Sequence, residues 1–473
     1  MATDLHYLGA SEALDLFRSR ELSPVELLDS VLARIEAVNP RINALAEQLA
    51  DEARALAVDA EQHYRSGGTL PPLLGLPVAA KEKHSLAGHV LSNGLVAQHA
   101  VVASADHPVI SRIRSAGGIV HARTTTPEFC CATVTHSPLW GVTRNPFNLE
   151  LSPGGSSGGS GAALAAGFAP LATGSDIAGS TRLPAAFTGT VGFKAPYGRV
   201  PGVAPLSADH YRGDGPMART VADAALLANV MAGRHPNDHA SLANTAPLPG
   251  AWASVEGLRI ALCIRLGDYL VDPDVEANTR AVATALHSAG AIVEEVELPW
   301  TTAEIHRTSF THFGHILGPA MEDETRGADS PLAAYTVQFM ADARAAAAGT
   351  SFLEGLTAET RLQGELATVM IGFDALICPT SAVAALTADG HYLDGISVGT
   401  KHLDHYWQAH MTVPFNIANR CPVLAVPSGL ADCGIPTGVQ VVGHPFDDGT
   451  VFRVGAAVER VRPWTHRYAK IGG

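Results

Sequence analysis

Lysine is scarce in this chain of 473 residues, and cysteine and charged residues of every kind are sparse. Charged residues make up 16% of the sequence, and the six cysteines lie scattered between Cys130 and Cys433. They show neither the paired spacing of zinc sites nor the density of a disulfide scaffold, which indicates free thiols. No apolar run approaches the roughly 20 residues that cross a bilayer, and the start lacks a basic stretch followed by an apolar one. We therefore expect no membrane contact and a cytoplasmic location.

The balance of charge excludes another class of partner. There are 32 Lys and Arg against 46 Asp and Glu, a net charge of −14. Nucleic-acid binding needs clustered cations that release phosphate counterions, so this balance argues against a nucleic-acid partner. Neither a phosphate-binding GxxxxGK[ST] loop nor a GxGxxG fingerprint is present, and no HExxH zinc motif occurs. We predict no cofactor, no metal, and a homodimer as the commonest soluble assembly.

What is present describes a folded α/β protein. Apolar residues make up 47% of the chain, enough for a deep core. Segments with strand character alternate with segments of helical spacing, which predicts a mixed, mostly parallel central sheet covered by helices on both faces. No long Pro, Gly or Ser linker interrupts the chain. We therefore expect one domain over 1–473, with a helical part at 1–70, a core at 71–220 and the rest of the sheet with a helical insertion at 221–473.

Individual elements can be placed from local signals. Ser23, Pro24 and Glu26 have the pattern of a capping box with proline at the first helical position, which predicts a helix that continues past Ile35. Further helices are expected at 220–232, at 273–289 and through most of 303–370. Strands are predicted at 73–80, 118–122, 258–264, 292–298, 375–378, 423–427 and 439–443.

The chain has five lysines and 27 arginines, and one of the lysines is a candidate base. Arginine cannot lose its proton at useful pH, whereas a desolvated lysine can become a neutral amine. Lys81 directly follows the apolar run LLGLPVAA, at the carboxyl end of a predicted buried strand. The alternative is a surface lysine that lays its stem along apolar neighbours. Lys194 is expected to be buried, and Lys83 and Lys470 to be solvated.

Two serine-bearing segments follow. The block 152–161, SPGGSSGGSG, contains two GxSxG matches that could suggest the nucleophile elbow of an α/β-hydrolase esterase using Ser156 or Ser157. Pro153 stands where a strand should lead into such an elbow, which disfavours that interpretation. The segment 174–182, GSDIAGSTR, can turn successive backbone N–H groups toward one point, with the Ser180 hydroxyl beside them, as acyl transfer requires. An ordinary β-turn is the alternative.

Together these segments resemble the amidase signature family of amide hydrolases. The resemblance extends over most of the chain and is carried by LPVAAKEK, TTTPEF, GVTRNPFN, the stretch 152–200, GDGPMAR, FDALICPT, VPFNIANRCPVLAVPSG and GIPTGVQVVG. It implies the amidase signature fold, with Lys81 as general base, Ser156 as a bridging serine after a cis peptide bond, and Ser180 as nucleophile. It also implies an oxyanion hole formed by the backbone N–H groups of Ile177, Ala178, Gly179 and Ser180. It implies that Ser157, Asp176 and Arg182 support the site, and that Phe129, Cys130 and Cys131 line the substrate pocket.

Three departures from the family pattern occur near these motifs. Ala178 replaces the first of two adjacent glycines, Thr181 replaces Ile or Val, and Glu82 replaces the Asp that commonly follows the lysine. We expect activity to survive all three, because Ala178 keeps its backbone N–H group.

The resemblance implies an amidohydrolase for an uncharged aryl, aliphatic or cyclic amide. A related alternative is the glutaminase subunit of a tRNA-dependent amidotransferase, but that subunit carries a Tyr-rich stretch, and residues 300–370 contain only Tyr335. Two interpretations from different classes are a Ser-His-Asp esterase and a binding protein that has no catalytic activity.

Histidines form one dense group late in the chain, His402, His405 and His410, with Asp404 among them. Their spacing fits no strong zinc template. If this segment forms a lid, these side chains with Tyr406 and Trp407 could contact the substrate instead.

Overall fold

The computed structural model describes residues 4–243 and 246–464. Its strands are β1 (Leu45–Gln48), β2 (Pro77–Lys81), β3 (Ile119–Thr124), β4 (His136–Ser137), β5 (Gly141–Val142), β6 (Leu171–Asp176), β7 (Val191–Lys194), β8 (Gly213–Ala218), β9 (Arg259–Leu262), β10 (Ile292–Glu295), β11 (Ala375–Pro379), β12 (Ile396–Val398), β13 (Lys401–Leu403), β14 (Val423–Leu430) and β15 (Pro436–Gly443). Eleven of them form one sheet in the order β1-β3-β2-β6-β8-β7-β14-β15-β11-β9-β10, while β4–β5 and β12–β13 form separate ribbons.

Helices connect and cover these strands. They are α1 (Ala10–Ser19), α2 (Pro24–Ile42), α3 (Ala50–Ser66), α4 (Pro108–Ser115), α5 (Gly158–Ala166), α6 (Arg182–Thr188), α7 (Val221–Met231), α8 (Pro273–Ser288), α9 (Thr302–His315), α10 (Leu317–Glu324), α11 (Ala334–Ala348), α12 (Phe352–Val369), α13 (Pro414–Ile417) and α14 (Asp448–Val461). The predicted capping box of α2 is present, with Ser23 Oγ accepting from Val25 N and Glu26 Oε2 accepting from Ser23 N. Among the described helices, none combines the length and apolar character of a membrane span.

The sheet is mixed and helices pack against it, so the predicted α/β fold class is confirmed, but parallel pairings are the minority and not the majority that the sequence suggests. Four of its ten strand pairings are parallel: β3 with β2, β2 with β6, β11 with β9, and β9 with β10. The remaining six are antiparallel: five follow one another from β6 to β11 across the centre, and the sixth pairs β1 with β3 at one edge. This arrangement has a simple cause, because β7 and β8, like β14 and β15, are consecutive strands without the crossover helix that parallel neighbours need.

Two buried apolar clusters hold the helices to the sheet. The first contains residues of α1 to α4, α7 and α14 packed on the strands, including Leu28, Ile110 and Val454. The second contains residues of α9 to α13, including Phe310 and Phe415. The helical stretch expected over 303–370 is therefore a layer with its own core, built by four helices.

The topology places the predicted catalytic segments at one edge of the sheet. Strands β2 and β6 run parallel as neighbours, so Lys81 and Asp176, their last residues, meet at the same carboxyl edge. The Gly/Ser block lies against this edge, where side chains larger than hydrogen do not fit. A methyl group on Gly159 would lie 2.6 Å from Thr125 N, and one on Gly155 would overlap the Val134 carbonyl oxygen.

Candidate active site

Lys81 is fully buried, and its amine lies among three hydroxyl groups. Nζ is 2.7 Å from Ser156 Oγ, 3.0 Å from Ser157 Oγ and 3.0 Å from Ser175 Oγ. Burial lowers the pKa of Lys81 to about 8, helped by Lys83 and opposed by Cys130 and Asp214. A lysine with this pKa is partly uncharged near neutral pH, as a general base must be.

The hydrogen bonds around this amine fix how a neutral Lys81 is oriented. Ser157 Oγ accepts from Ser175 N at 3.3 Å and donates to Ser175 O at 3.4 Å, so its proton faces away from the lysine. A neutral amine donates two hydrogen bonds and accepts one. A neutral amine that donates to Ser157 and Ser175 has its lone pair left for the hydroxyl of Ser156.

The sequence motifs do not single out Ser175. The available signal is its place directly before Asp176 at the end of a strand, on the edge to which Lys81 belongs. They do single out Ser156, and the peptide bond between Gly155 and Ser156 is cis, as the resemblance implies. Ser156 is buried and lies at the start of the turn that leads into α5.

Asp176 and Arg182 brace the loop that carries Ser180. The Asp176 carboxylate accepts from Arg182 Nη2 at 2.8 Å, Arg182 Nε at 2.9 Å and Gly179 N at 2.7 Å. Burial alone would raise the pKa of Asp176, but Arg182 outweighs it and lowers the pKa to about 2. Asn416, from the VPFN segment, donates to the same carboxylate at 2.9 Å. The loop is thus held by a buried ion pair.

The N–H groups of this loop are not equivalent. Gly179 N–H is engaged by Asp176 Oδ1, so it differs from the expectation that it faces an oxyanion. The N–H groups of Ile177, Ala178 and Ser180 form no hydrogen bond with any described residue and stay available. Thr412 Oγ1 donates to the Ala178 carbonyl oxygen at 2.6 Å and so orients the peptide that follows Ala178.

Ser180 joins the cluster through its backbone. Its carbonyl oxygen accepts from Ser157 N at 3.1 Å, and its side chain is 7% exposed. Between the described residues, no hydrogen bond links Ser156 Oγ to Ser180 Oγ. The structure therefore brings Lys81 and Ser156 into direct contact and places Ser180 beside them without closing the second link. Catalytic hydrogen bonds are often long in the absence of substrate and tighten when it binds.

A cavity of about 400 Å³ opens onto this cluster. Ser156, Ser175, Ile177, Phe129 and Cys130 line this cavity. Residues of α10, of the start of β8 and of the position before it also line the cavity: Leu317, Ala320, Met321, Asp323, Glu324, Arg212, Gly213 and Asp214. Ser180 is not among the lining residues of the described chain.

Two pocket expectations receive different outcomes. Phe129 and Cys130 do line the cavity, but Cys131 does not. Cys131 is 1% exposed and its thiol contacts Thr336 Oγ1 of α11 at 3.9 Å. The two adjacent thiols therefore face different surroundings, and Cys131 belongs to the second apolar cluster.

The late histidine segment lies away from the cavity. His410 is buried and bonded to Thr133 Oγ1 at 2.9 Å and to Ser381 Oγ at 3.2 Å. Tyr406 and Trp407 are buried in the second apolar cluster. None of these residues lines the cavity, so the idea of a lid that contacts substrate is not supported; residues of α10 line the cavity instead.

The remaining lysines also differ in environment. Lys194 is buried as expected, and it donates to Asn419 Oδ1 and to the Cys421 carbonyl oxygen. Lys83 was expected to be solvated, but its side chain is only 21% exposed and pairs with Asp214 at 2.8 Å. Lys470 lies outside the described residues.

Within the part of the chain that the structure describes, two clusters bring histidine and aspartate ligand atoms within 4.8 Å of one another, and neither is predicted by the sequence. One contains His84, His107 and Asp214, and its atoms are already engaged: His107 Nδ1 accepts from Val109 N, and His84 Nδ1 contacts Thr173 Oγ1. The other contains Asp209, His210 and His312.

In the second cluster, His312 bridges two carboxylates. Its Nε2 lies 2.7 Å from Asp209 and its Nδ1 lies 3.1 Å from Glu359. Both clusters are thus held together by hydrogen bonds and ion pairs, with Asp209 Oδ2 in an ion pair with Arg212 at 3.4 Å.

Comparison with known proteins places these motifs in a family. The Amidase family matches residues 26–452. A glutamyl-tRNA(Gln) amidotransferase subunit of Roseiflexus sp. (strain RS-1) is 33% identical over 491 residues, covering 98% of each chain. An acylamidase of Rhodococcus erythropolis is 32% identical over 476 residues, covering 98% of this chain and 97% of the relative. The crystal structure of a bacterial aryl acylamidase of the amidase signature enzymes superposes with a TM-score of 0.91 and 28% identity, covering 100% of both chains.

Proposed function

The chain belongs to the amidase signature family and is a hydrolase of amide C–N bonds, and we propose that it cleaves small uncharged carboxamides through an acyl-enzyme on Ser180. The observation that supports this proposal is the Lys81 amine, which is buried and 2.7 Å from the Oγ of Ser156, a residue that lines the cavity. Among the described residues, no carboxylate forms an ion pair with this lysine. We propose that the Lys81 amine acts as the general base and accepts a proton.

In the proposed acylation step, neutral Lys81 takes the proton of Ser156 while Ser156 takes that of Ser180. Ser180 Oγ then forms a bond to the amide carbonyl carbon, and the carbonyl π electrons move to oxygen. The N–H groups of Ile177, Ala178 and Ser180 hold the oxyanion. Each such donor is typically worth about 3 kcal/mol in the transition state.

Collapse of the tetrahedral intermediate breaks the C–N bond. The proton held by Lys81 returns through Ser156 to the departing nitrogen, which leaves as a neutral amine. Water enters and loses a proton to the same relay, and its oxygen attacks the Ser180 ester. The carboxylic acid is released and Ser180 regains its proton.

The cavity supports an uncharged substrate with an apolar group. Phe129, Ile177, Leu317 and Met321 supply apolar walls. Lys83, a cationic residue of the cavity lining, is already paired with Asp214. Relatives with the names acylamidase and aryl acylamidase agree with an aryl or aliphatic amide. A cyclic amide has the same neutral chemistry.

The glutaminase alternative receives support from the relative in Roseiflexus but not from the residues here. Tyr335 is the one tyrosine of residues 300–370. It is buried, and its hydroxyl group forms hydrogen bonds to the backbone. Its hydroxyl accepts from Glu128 N at 2.9 Å and donates to the His136 carbonyl oxygen at 2.7 Å.

An esterase triad lacks its histidine here. Within the described chain, the side-chain partners of Ser156 and Ser157 include no imidazole.

A substrate panel tests the proposal. Aryl amides, lactams, amino-acid amides and glutamine are compared by kcat/KM with the wild-type chain, Lys81→Ala and Ser180→Ala. We expect aryl or cyclic amides to be turned over and both variants to lose at least about 10³-fold. The exposed residues Lys401 and Ser288 provide matched controls as alanine variants. Preference for glutamine, or full activity of Lys81→Ala, would contradict the proposal.

We also propose a domain organisation, a cellular location and an assembly for this chain. One sheet uses strands from Leu45 to Gly443, which supports a single domain over 1–473. The cytoplasmic location and the homodimer stay predictions that cell fractionation and light scattering would test.

A further inference from the structure

The peptide unit between Ala178 and Gly179, in the loop that carries Ser180, is held at both ends. Its carbonyl oxygen accepts from Thr412 Oγ1 at 2.6 Å, and its N–H group donates to Asp176 Oδ1 at 2.7 Å. Because a trans peptide is planar and directs its C=O and N–H groups to opposite sides, these two hydrogen bonds fix its plane. Thr412 is the one side chain among the described residues that donates to this carbonyl oxygen.

Thr412 is itself held in place. It is fully buried in the turn that leads into α13, and its own carbonyl oxygen accepts from Arg182 Nη1 at 2.9 Å and from Phe415 N at 3.2 Å. Its side chain is branched at Cβ, which restricts rotation about χ1. Thr412 therefore contacts the loop through its hydroxyl, and contacts the ion pair that braces the loop through its carbonyl oxygen. It is not among the described residues that line the cavity.

Gly179 leaves the space that the Thr412 hydroxyl occupies. Its φ is 118°, and a methyl group on it would overlap Thr412 Oγ1. The Gly179 carbonyl oxygen accepts from Leu183 N at 2.7 Å, so the next peptide is fixed as well. Since that peptide is also trans, the N–H group of Ser180 points away from the start of α6. Hydrogen bonds thus orient the peptides on both sides of Gly179.

We propose that Thr412 is a positioning residue for the oxyanion hole, and that its hydroxyl fixes the peptide after Ala178. That peptide separates the N–H groups of Ala178 and Ser180, so its plane sets the angle at which the two groups converge. The inference rests on the proposed function, in which these groups bind the oxyanion. The oxyanion forms only after the nucleophile has added to the carbonyl carbon, so misaligned donors should lower kcat and leave KM nearly unchanged.

The first test measures kcat and KM on an uncharged anilide. Thr412→Val keeps the shape without the hydroxyl and should lower kcat by at least about tenfold, with KM changed by less than about twofold. Thr412→Ser keeps the hydroxyl and should retain kcat within about threefold of wild type. If the valine variant does not fold, Thr412→Ala removes the same hydroxyl in its place.

Thr279 provides the matched control, because its buried hydroxyl donates to the Val275 carbonyl oxygen at 2.8 Å within α8. Thr279→Val makes the same chemical change outside the loop and should leave kcat unchanged. Wild-type kcat in Thr412→Val, a loss confined to KM, or an equal loss in Thr412→Ser would overturn the inference.

The second test needs no turnover. Hydrogen–deuterium exchange of the segment 174–182 is followed by mass spectrometry in wild type, Thr412→Val and Thr279→Val. The Gly179 N–H group is buried and bonded to Asp176, and a peptide without its second hydrogen bond should exchange at least about tenfold faster in Thr412→Val alone. Unchanged exchange of this segment in that variant would refute the positioning role. Faster exchange in a chain whose wild type hydrolyses no amide would leave the positioning of the loop standing and remove the proposed function instead.

Discussion

The protonation of Lys81 should control activity in the pH range just above neutral. The perturbation is pH itself, applied to the wild-type chain and to Lys81→Ala. Because burial lowers the pKa of Lys81 to about 8, the acid limb of kcat/KM should have its midpoint near that value. Activity rises with pH since the deprotonated amine is the active form.

The magnitude follows from the two pKa values. At pH 7 an amine with a pKa of about 8 is neutral in about one molecule in ten, whereas one at the ordinary value of 10.5 is neutral in about one in 3,000. Burial therefore increases the active fraction by roughly 300-fold, equivalent to about 3 kcal/mol. The structural origin is the burial of Nζ among hydroxyls, with no paired carboxylate among its described neighbours.

The assay is the initial rate of 4-nitroacetanilide hydrolysis between pH 5.5 and pH 10, at substrate concentrations far below KM. This substrate stays uncharged over that range, so the limb reports the free enzyme. Lys81→Ala should lose at least about 10³-fold and show no limb near pH 8. A rate that is constant from pH 6 to pH 9, or a limb with its midpoint above pH 10, would refute the reasoning.

Three further predictions concern the loop and the helical layer. Asp176→Asn leaves the Arg182 guanidinium buried without a charge partner, and it should lower the free energy of unfolding in urea by roughly 3 kcal/mol at pH 7. Because the pKa of Asp176 is lowered to about 2 in the folded protein, the difference in unfolding free energy from wild type should vanish as pH falls from about 4 through 2. Gly179→Ala, at a φ of 118° and with a methyl group that overlaps the Thr412 hydroxyl, should reduce kcat by at least about 10²-fold, and unchanged kcat would contradict the loop geometry. For His312, burial lowers the pKa but the hydrogen bonds to Asp209 and Glu359 outweigh it, so its stabilising contribution is complete below pH 6.5 and is lost at higher pH. The stability gap to His312→Gln should accordingly shrink between pH 6 and pH 9, and a growing gap would contradict that assignment.

The parts of the site that sequence could predict are those written in short motifs. Lys81 ends an apolar run, and the carboxyl end of a buried strand is where parallel sheets place ligands. Ser156 and Ser180 lie in Gly-rich segments whose backbone can turn tightly. Each is local information, and the sheet brings the segments together because β2 and β6 are parallel neighbours.

The orientations of individual groups in the site could not be predicted, because they depend on the path of each loop in three dimensions. The motif predicts Gly179 N–H in the oxyanion hole, but the loop returns far enough for Asp176 to accept from it. Ser175 precedes Asp176 in the same strand and turns its hydroxyl to the lysine. These outcomes follow from three-dimensional paths that residue types do not specify.

Cys130 and Cys131 show the same limit at the scale of one residue. Their sequence environments are nearly identical, yet Cys130 faces the cavity and Cys131 faces α11. The difference arises from the left-handed backbone conformations of Phe129 and Cys130. Neither position is a glycine, so the sequence does not predict these conformations. Similarly, the sequence from His402 to His410 is compatible with a lid, but its aromatic residues fill the second apolar cluster.

The central claim is that Ser180 carries the acyl group, and trapping that group tests it most directly. The protein is mixed with an activated aryl ester, quenched in acid within milliseconds to seconds, digested and analysed by tandem mass spectrometry. We predict an acyl mass on Ser180 that is absent from Ser180→Ala and strongly reduced in Lys81→Ala. An acyl group on Ser156 or Ser157, or steady hydrolysis by Ser180→Ala, would contradict the account.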